Sequence, residues 1–250
     1  MLCREDILLD DPLLVALSKP AGLATIPGRA ETTSVLEQLA AMLGLACSGS
    51  ADPRLRVVHR LDKDTSGVLL FAKTLDAQRH LSHQFQNNRI EKQYLALVAG
   101  APPADEGQID APLAVHPTQK DRMTVWKRGR PARTDWQLAE RFKQFSLLAV
   151  FPRTGKTHQI RVHLQSIGLP LAIDPLYNPK APPILLSSFK RGYRAKRGQE
   201  ERPLIERLTL HAQRLSFDHP TAGATSIEAP LPKDFRTVLN MLRKYGGGRR

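Results

Sequence analysis

The sequence predicts an α+β fold weighted toward strands, on three observations. Several apolar runs are short, such as Ile7-Leu8-Leu9 before Asp10 and residues 68–72 before Lys73, which suits buried strands. Only a few stretches repeat apolar residues at three- and four-residue spacing, as amphipathic helices do. At 41% apolar content, no run is long enough to cross a bilayer. A chain of 250 residues buries one sizeable core, with or without a small lobe, and a single domain over 1–250 is expected.

In chain order, Ile7-Leu8-Leu9 and Leu13-Leu14-Val15-Ala16-Leu17 are two strands around the turn Asp10-Asp11-Pro12. Ser18-Lys19-Pro20-Ala21-Gly22-Leu23 breaks the pattern and reads as a loop. Thr33 or Ser34 caps a helix that puts Val35, Leu36, Leu39, Met42 and Leu43 on one face and ends at Gly44. Residues 46–54 form a loop. Residues 68–72 are a buried strand, and Thr74 caps a helix carrying Leu75, Gln78, Leu81 and Phe85 that fades at Asn87-Asn88. Residues 90–98 form a central strand, and residues 101–110, rich in Pro and acid, a loop. Residues 111–134 are basic and read as loops and short strands, able to face phosphate or simply solvated.

Trp136-Gln137-Leu138 and residues 145–150 are strands. Thr157 caps a helix running to Gly168, with Ile160, Leu164 and Ile167 on its apolar face and His158, Arg161 and Gln165 on another. Residues 178–207 read as an insertion with eight Lys or Arg and three Glu; Phe189 and Tyr193 among the cations suit single-stranded RNA or a solvated loop. Residues 208–217 are a strand. Phe235, Val238, Leu239 and Leu242 mark an amphipathic helix, closed by a glycine run with a frayed tail over 246–250.

The formal charge of +13 calls for a polyanionic partner, since Lys and Arg contacts to phosphate supply most non-specific nucleic-acid affinity. A merely soluble basic protein fits the same charge. An acidic membrane surface fits less well, because no basic amphipathic helix accompanies it. Met1-Leu2-Cys3-Arg4-Glu5-Asp6 has acids where an export signal needs a basic start and an apolar run. Cys3 and Cys47 show no metal-ligand spacing and suit a reducing compartment, so a cytoplasmic location is expected.

One stretch organises the rest: Val57-Val58-His59-Arg60-Leu61-Asp62-Lys63-Asp64-Thr65-Ser66-Gly67, ahead of the strand 68–72. Asp, Thr, Ser and Gly make a tight polar turn there, and Asp62 sits at its lip between Arg60 and Lys63. A carboxylate held among cations stays ionised and serves as nucleophile or base; the same residues also read as an Asx-turn that only caps the backbone. Tyr94 opens the apolar part of its strand and reads equally as a packing residue. Arg161, taken alone, reads as a surface cation.

His-Arg-Leu-Asp-x-x-Thr-Ser-Gly before an apolar strand resembles the signature of RluA-type pseudouridine synthases. Lys19-Pro20-Ala21-Gly22 resembles that family's Lys-Pro-x-Gly motif, and residues 91–98 its tyrosine motif. Gly155-Lys156-Thr157-His158-Gln159-Ile160-Arg161 resembles a third motif, and Leu210-His211-Ala212 the last. Lys156 stands where members often have Arg, and Ile173 where many have Gly; Asp174 and Tyr177 match.

The resemblance implies a mixed, largely antiparallel sheet with flanking helices around a central RNA-binding cleft. It implies a catalytic domain without the extra N-terminal RNA-binding domain of many ribosomal-RNA members. The implied reaction isomerises uridine in RNA to pseudouridine, with no cofactor and no metal. Asp62 is the implied nucleophile or base, Tyr94 stacks on the uracil and Arg161 pairs with Asp62; the candidate substrate contacts are Lys19, Arg60, Lys156, His158, Ile160 and Leu210. The expected partner is RNA, either transfer RNA or 23S-type ribosomal RNA, bound by a monomer with no obligatory protein partner. A glycosidase would need a second carboxylate across the bond, and the nearest, Asp64, shares the turn of Asp62. An RNA-binding protein of this fold without catalysis is the alternative.

Overall fold

The computed structural model describes residues 2–28, 33–47, 54–193 and 200–247. It divides into two compact units, Met1–Tyr94 with His211–Pro230, and Leu95–Leu210 with Leu231–Arg250. The sheet pairings are mixed and mostly antiparallel, as the resemblance implied.

In the first unit, β1 (Ile7–Asp10) pairs antiparallel with β2 (Leu14–Lys19), and β2 with β4 (Ser66–Ala72). The short β3 (Arg56–Val57) also pairs with β4, at Phe71 and Ala72. Strand β11 (Leu210–His219) meets β4 in parallel at Ser66 and Gly67, and β12 (Gly223–Glu228) is its antiparallel partner. Alternate residues of β2 and β4 feed two cores. Val15, Leu17, Leu69 and Phe71 pack with Leu36 and Leu39 of helix α1 (Val35–Leu43). Leu14, Ala16, Val68 and Leu70 pack with Ala77 and Leu81 of helix α2 (Leu75–Gln86). Cover on both faces explains why β4 is apolar throughout rather than alternating.

Both helix starts follow local chemistry. Ser34 and Glu37 form a reciprocal capping box, Gly44 ends α1 in the left-handed conformation, and Thr74 accepts the Ala77 N–H. Gly67 has φ +122°, and a Cβ there would lie 2.1 Å from the Ala212 carbonyl oxygen. Only glycine allows β11 to approach the start of β4 so closely.

In the second unit, β5 (Glu91–Ala99), β10 (Phe145–Pro152), β9 (Arg133–Arg141) and β6 (Glu106–Asp110) are successive neighbours; Leu95 and the residues after it place β5 here. β7 (Leu113–Val115) and β8 (Met123–Val125) form a separate hairpin. Helix α4 (Lys233–Tyr245) buries Phe235, Val238, Leu239 and Leu242 against Leu95, Leu97, Phe142 and Leu147.

Several expectations need correction. Residues 106–110 are an edge strand rather than loop. Gly107 pairs with Trp136, whose indole lies where a Cβ would be, so a distant aromatic completes a segment that shows no alternation of its own. Strand β12 carried no sequence expectation. Within the expected insertion, Ile184 and Ile205 are buried and Arg207 pairs with Asp234 at 2.7 Å. Residues 194–199, 248–250 and 48–53, which include parts of the expected insertion, tail and loop, lie outside the described residues. Helix α3 (Gln159–Ser166) is capped by His158 at φ +53°, not by Thr157. Ile167 lies past its end and is 41% exposed, so it does not join the apolar face.

Candidate active site

The turn bearing Asp62 is closed by the Thr65 N–H donating to the Asp62 carbonyl at 3.1 Å. Its rigidity comes from the loop that follows β2. Thr25 Oγ1 accepts the Leu61 N–H at 3.2 Å and donates to the Leu61 carbonyl at 2.9 Å. The Lys63 carbonyl accepts both the Gly22 N–H at 2.9 Å and the Lys19 ammonium at 2.8 Å. Asp62 is thus flanked on each side by a residue whose backbone is tied to residues 19–25. Its half-buried carboxylate projects from a fixed frame.

Lys19 is fully buried, and its ammonium donates to the carbonyls of Pro20, Leu23 and Lys63 at 2.7–2.8 Å. The sequence offered it as a substrate contact; those three bonds tie the loop after β2 to the Asp62 turn, as a staple. Arg60 is exposed beside Asp62. His59, in the motif but given no role, stacks on Phe85 at 4.7 Å and accepts the Leu70 N–H through Nε2 at 3.0 Å. Burial, with the Lys92 cation nearby, pushes its pKa from 6.5 down to about 3, so the ring is neutral. Burial likewise lowers Lys92 to about 8. Tyr94 packs at the edge of the α1 core. Burial raises its phenol well above the usual range, and the Asp62 carboxylate adds to the shift. Tyr94 is therefore a neutral ring close enough to feel the charge of Asp62.

The second unit presents a different construction. Gln159, buried at the start of α3, accepts from the Lys156 N–H at 3.0 Å and the Thr154 hydroxyl at 2.7 Å. Its amide donates to the Arg133 carbonyl at 2.9 Å and to Thr134 Oγ1 at 3.0 Å. One side chain thus braces the loop leading into α3, at Thr154 and Lys156, against Arg133 and Thr134. Arg161 is buried, and its Nε and Nη2 donate to the two carboxylate oxygens of Asp174 at 2.8 and 2.7 Å. Asp174 also accepts the N–H groups of Leu176 and Tyr177. The Tyr177 ring lies 4.9 Å from the Arg161 guanidinium and 5.2 Å from that of Arg122. Its hydroxyl accepts the Met123 N–H at 2.8 Å and is 2.9 Å from Nδ1 of His158. Ile160 and Leu210 are buried packing residues. Ile173, which replaces a glycine of the motif, has no positive φ, so the loop does not demand glycine there. No cluster of His, Cys, Asp or Glu suited to a metal occurs among the described residues.

The model of the RNA pseudouridylate synthase family matches residues 13–166, a span that contains Asp62, Tyr94 and Arg161. The chain belongs to that family. It is 41% identical over 239 residues to the ribosomal large subunit pseudouridine synthase D of Nitrosomonas europaea, covering 95% of this chain and 65% of that protein. It is 37% identical to the protein of the same name from Pseudomonas aeruginosa, over 96% of this chain and 72% of that one. Against the solved structure of Human RNA Pseudouridylate Synthase Domain Containing 4, the TM-score is 0.70 at 27% identity, over 96% of this chain and 93% of that one. This synthase-family chain therefore spans just under two thirds of the Nitrosomonas relative. No described helix is long and apolar enough to cross a membrane.

Proposed function

We propose that this protein is an RNA pseudouridine synthase acting on large-subunit ribosomal RNA. The observation that carries the reading is Asp62, in the His-Arg-Leu-Asp turn of a family member, with its neighbours tied to residues 19–25. In the proposed reaction the C1′–N1 bond of a uridine breaks, the uracil rotates, and C5 joins C1′; C5 loses its proton and N1 gains one. Asp62 acts as nucleophile or base. Tyr94 offers its neutral ring to the flipped uracil, which must leave its stack to react. Arg161 is the proposed ion partner of Asp62. Arg60, Lys156 and His158 are the proposed polar contacts to RNA. The names of the bacterial relatives favour ribosomal over transfer RNA and, with it, the cytoplasm. The proposed working unit is a monomer.

The test is tritium release from 5-tritiated uridine, offered separately in large-subunit ribosomal RNA and transfer RNA. Release from the ribosomal RNA is expected. Release from transfer RNA alone would overturn the substrate, and binding without release from either would replace the enzyme with an RNA-binding protein.

A further inference from the structure

Trp126 is one of two tryptophans, and the two are placed in opposite ways. Trp136 is 5% exposed beneath β6, whereas Trp126 is 52% exposed at the end of the β7–β8 hairpin. Its backbone is pinned. The Trp126 N–H donates to the Pro112 carbonyl at 2.9 Å, and the Gly129 N–H to the Trp126 carbonyl at 2.7 Å. Leu113 and Arg130 exchange two further backbone bonds at 2.8 and 2.9 Å. A Cβ at Gly129 would lie 2.6 Å from the Leu113 backbone, so glycine is needed to close this turn against the strand. Leu113 and Met123 pack on Ala132, Val162 and Tyr177, which anchors the hairpin. A large ring is therefore held outward on a rigid turn. Val115 and Val125 are exposed as well, at 56% and 37%.

The chain next to that ring is cationic between Asp121 and Asp135. From Arg122 to Thr134 the chain carries Arg122, Lys127, Arg128, Arg130 and Arg133 and no acid. Lys127, Arg128 and Arg130 are exposed. An exposed π-face flanked by cations has the composition of a single-stranded nucleic-acid platform, where a base stacks and the adjacent phosphates meet Lys and Arg. The anchor also reaches the proposed chemistry: the Tyr177 hydroxyl that accepts the Met123 N–H belongs to the ring lying against Arg161. Resting on the synthase reading for the identity of the RNA, we propose that Trp126 stacks on an unpaired base of the substrate, with Lys127, Arg128 and Arg130 binding the phosphates on either side.

The experiment titrates the intact protein with the large-subunit ribosomal RNA used for tritium release and follows tryptophan fluorescence. Wild type is expected to be quenched to saturation, and Trp126→Phe to lose that quench, because Trp136 is buried. Trp126→Ala should weaken binding on the order of ten-fold, with the loss falling on KM rather than kcat. Trp126→Phe and Trp126→Tyr should restore most of the affinity. Leu75→Ala, which removes an equally exposed apolar side chain from α2, should leave it unchanged. Lys127→Gln with Arg128→Gln should flatten the salt dependence by about two counterions. A Trp126→Ala protein with wild-type KM, or a quench that survives in Trp126→Phe, overturns the proposal even if tritium is released. Quenching by an RNA that releases no tritium leaves the platform standing and removes the synthase reading instead. Normal RNA binding by Trp126→Ala with loss of a protein partner would make the hairpin a protein-docking surface and overturn the proposal too.

Discussion

Asp62 in the first unit is fixed through the backbone of its neighbours, whereas Arg161 in the second is fixed through its own guanidinium. Around Asp62, Thr25, Gly22 and Lys19 bond the amide and carbonyl groups of Leu61 and Lys63. Arg161 instead forms a bidentate pair with buried Asp174, against the ring of Tyr177. If both residues act as proposed, the difference separates the frame from the reacting group in one unit and joins them in the other. The backbone bonds that frame Asp62 do not involve its carboxylate, so Asp62→Asn leaves that frame in place. Loss of Arg161, by contrast, strands a buried carboxylate.

The largest break in that contrast is expected from Arg161→Met, which should cost about 3–5 kcal/mol of stability in urea denaturation. Adding Asp174→Leu should recover part of it, since the pair is then removed whole; recovery is incomplete because Asp174 also holds the Leu176 and Tyr177 N–H groups. Full additivity of the two single losses would show that the pair is not coupled. Next is Lys19→Met, which takes a donor from three carbonyls, of which that of Lys63 keeps the Gly22 N–H. It should cost about 3 kcal/mol and lower turnover more than RNA affinity, as expected if Lys19 positions the turn rather than touching RNA. A pure affinity loss would restore Lys19 as a substrate contact.

A smaller effect is expected at His59. Its folded pKa of about 3 lies below the ordinary 6.5, so its contribution is full above pH 6.5 and is lost as pH falls toward 3. At pH 5 the loss is about 2 kcal/mol. His59→Phe should flatten the stability profile between pH 6.5 and 3, and an unchanged slope would assign the acid sensitivity elsewhere. The smallest is Thr25→Val, at about 1 kcal/mol, with a fall in kcat and unchanged RNA binding. Unchanged kcat would remove Thr25 from the frame of Asp62.

What the sequence revealed follows from where the determining atoms lie. Helix α1 was legible because its cap, its apolar face and Gly44 are all local. Strand β6 was not, because its partner strand and the indole over Gly107 come from β9. The α3 cap was misplaced because the loop is braced by buried Gln159, whose partners include Arg133 and Thr134. The site shows the same division. Asp62, Tyr94 and Arg161 stand in motifs and were named from them. Thr25 escaped notice because it bonds Leu61, 36 residues away, and the staple made by Lys19 was not legible because its partners are carbonyls that no side-chain pattern records. Arg161 looked like a surface cation because the carboxylate that permits its burial lies beyond the helix.

The central claim is tested most directly by Asp62→Asn, measured together for tritium release, RNA affinity and stability. The account predicts that release from 5-tritiated uridine falls by about 10⁴-fold or more, as when a nucleophile is removed. RNA affinity should be retained and stability should change by less than about 1 kcal/mol. Release that survives in Asp62→Asn would contradict it, and so would a variant that loses activity only because it unfolds.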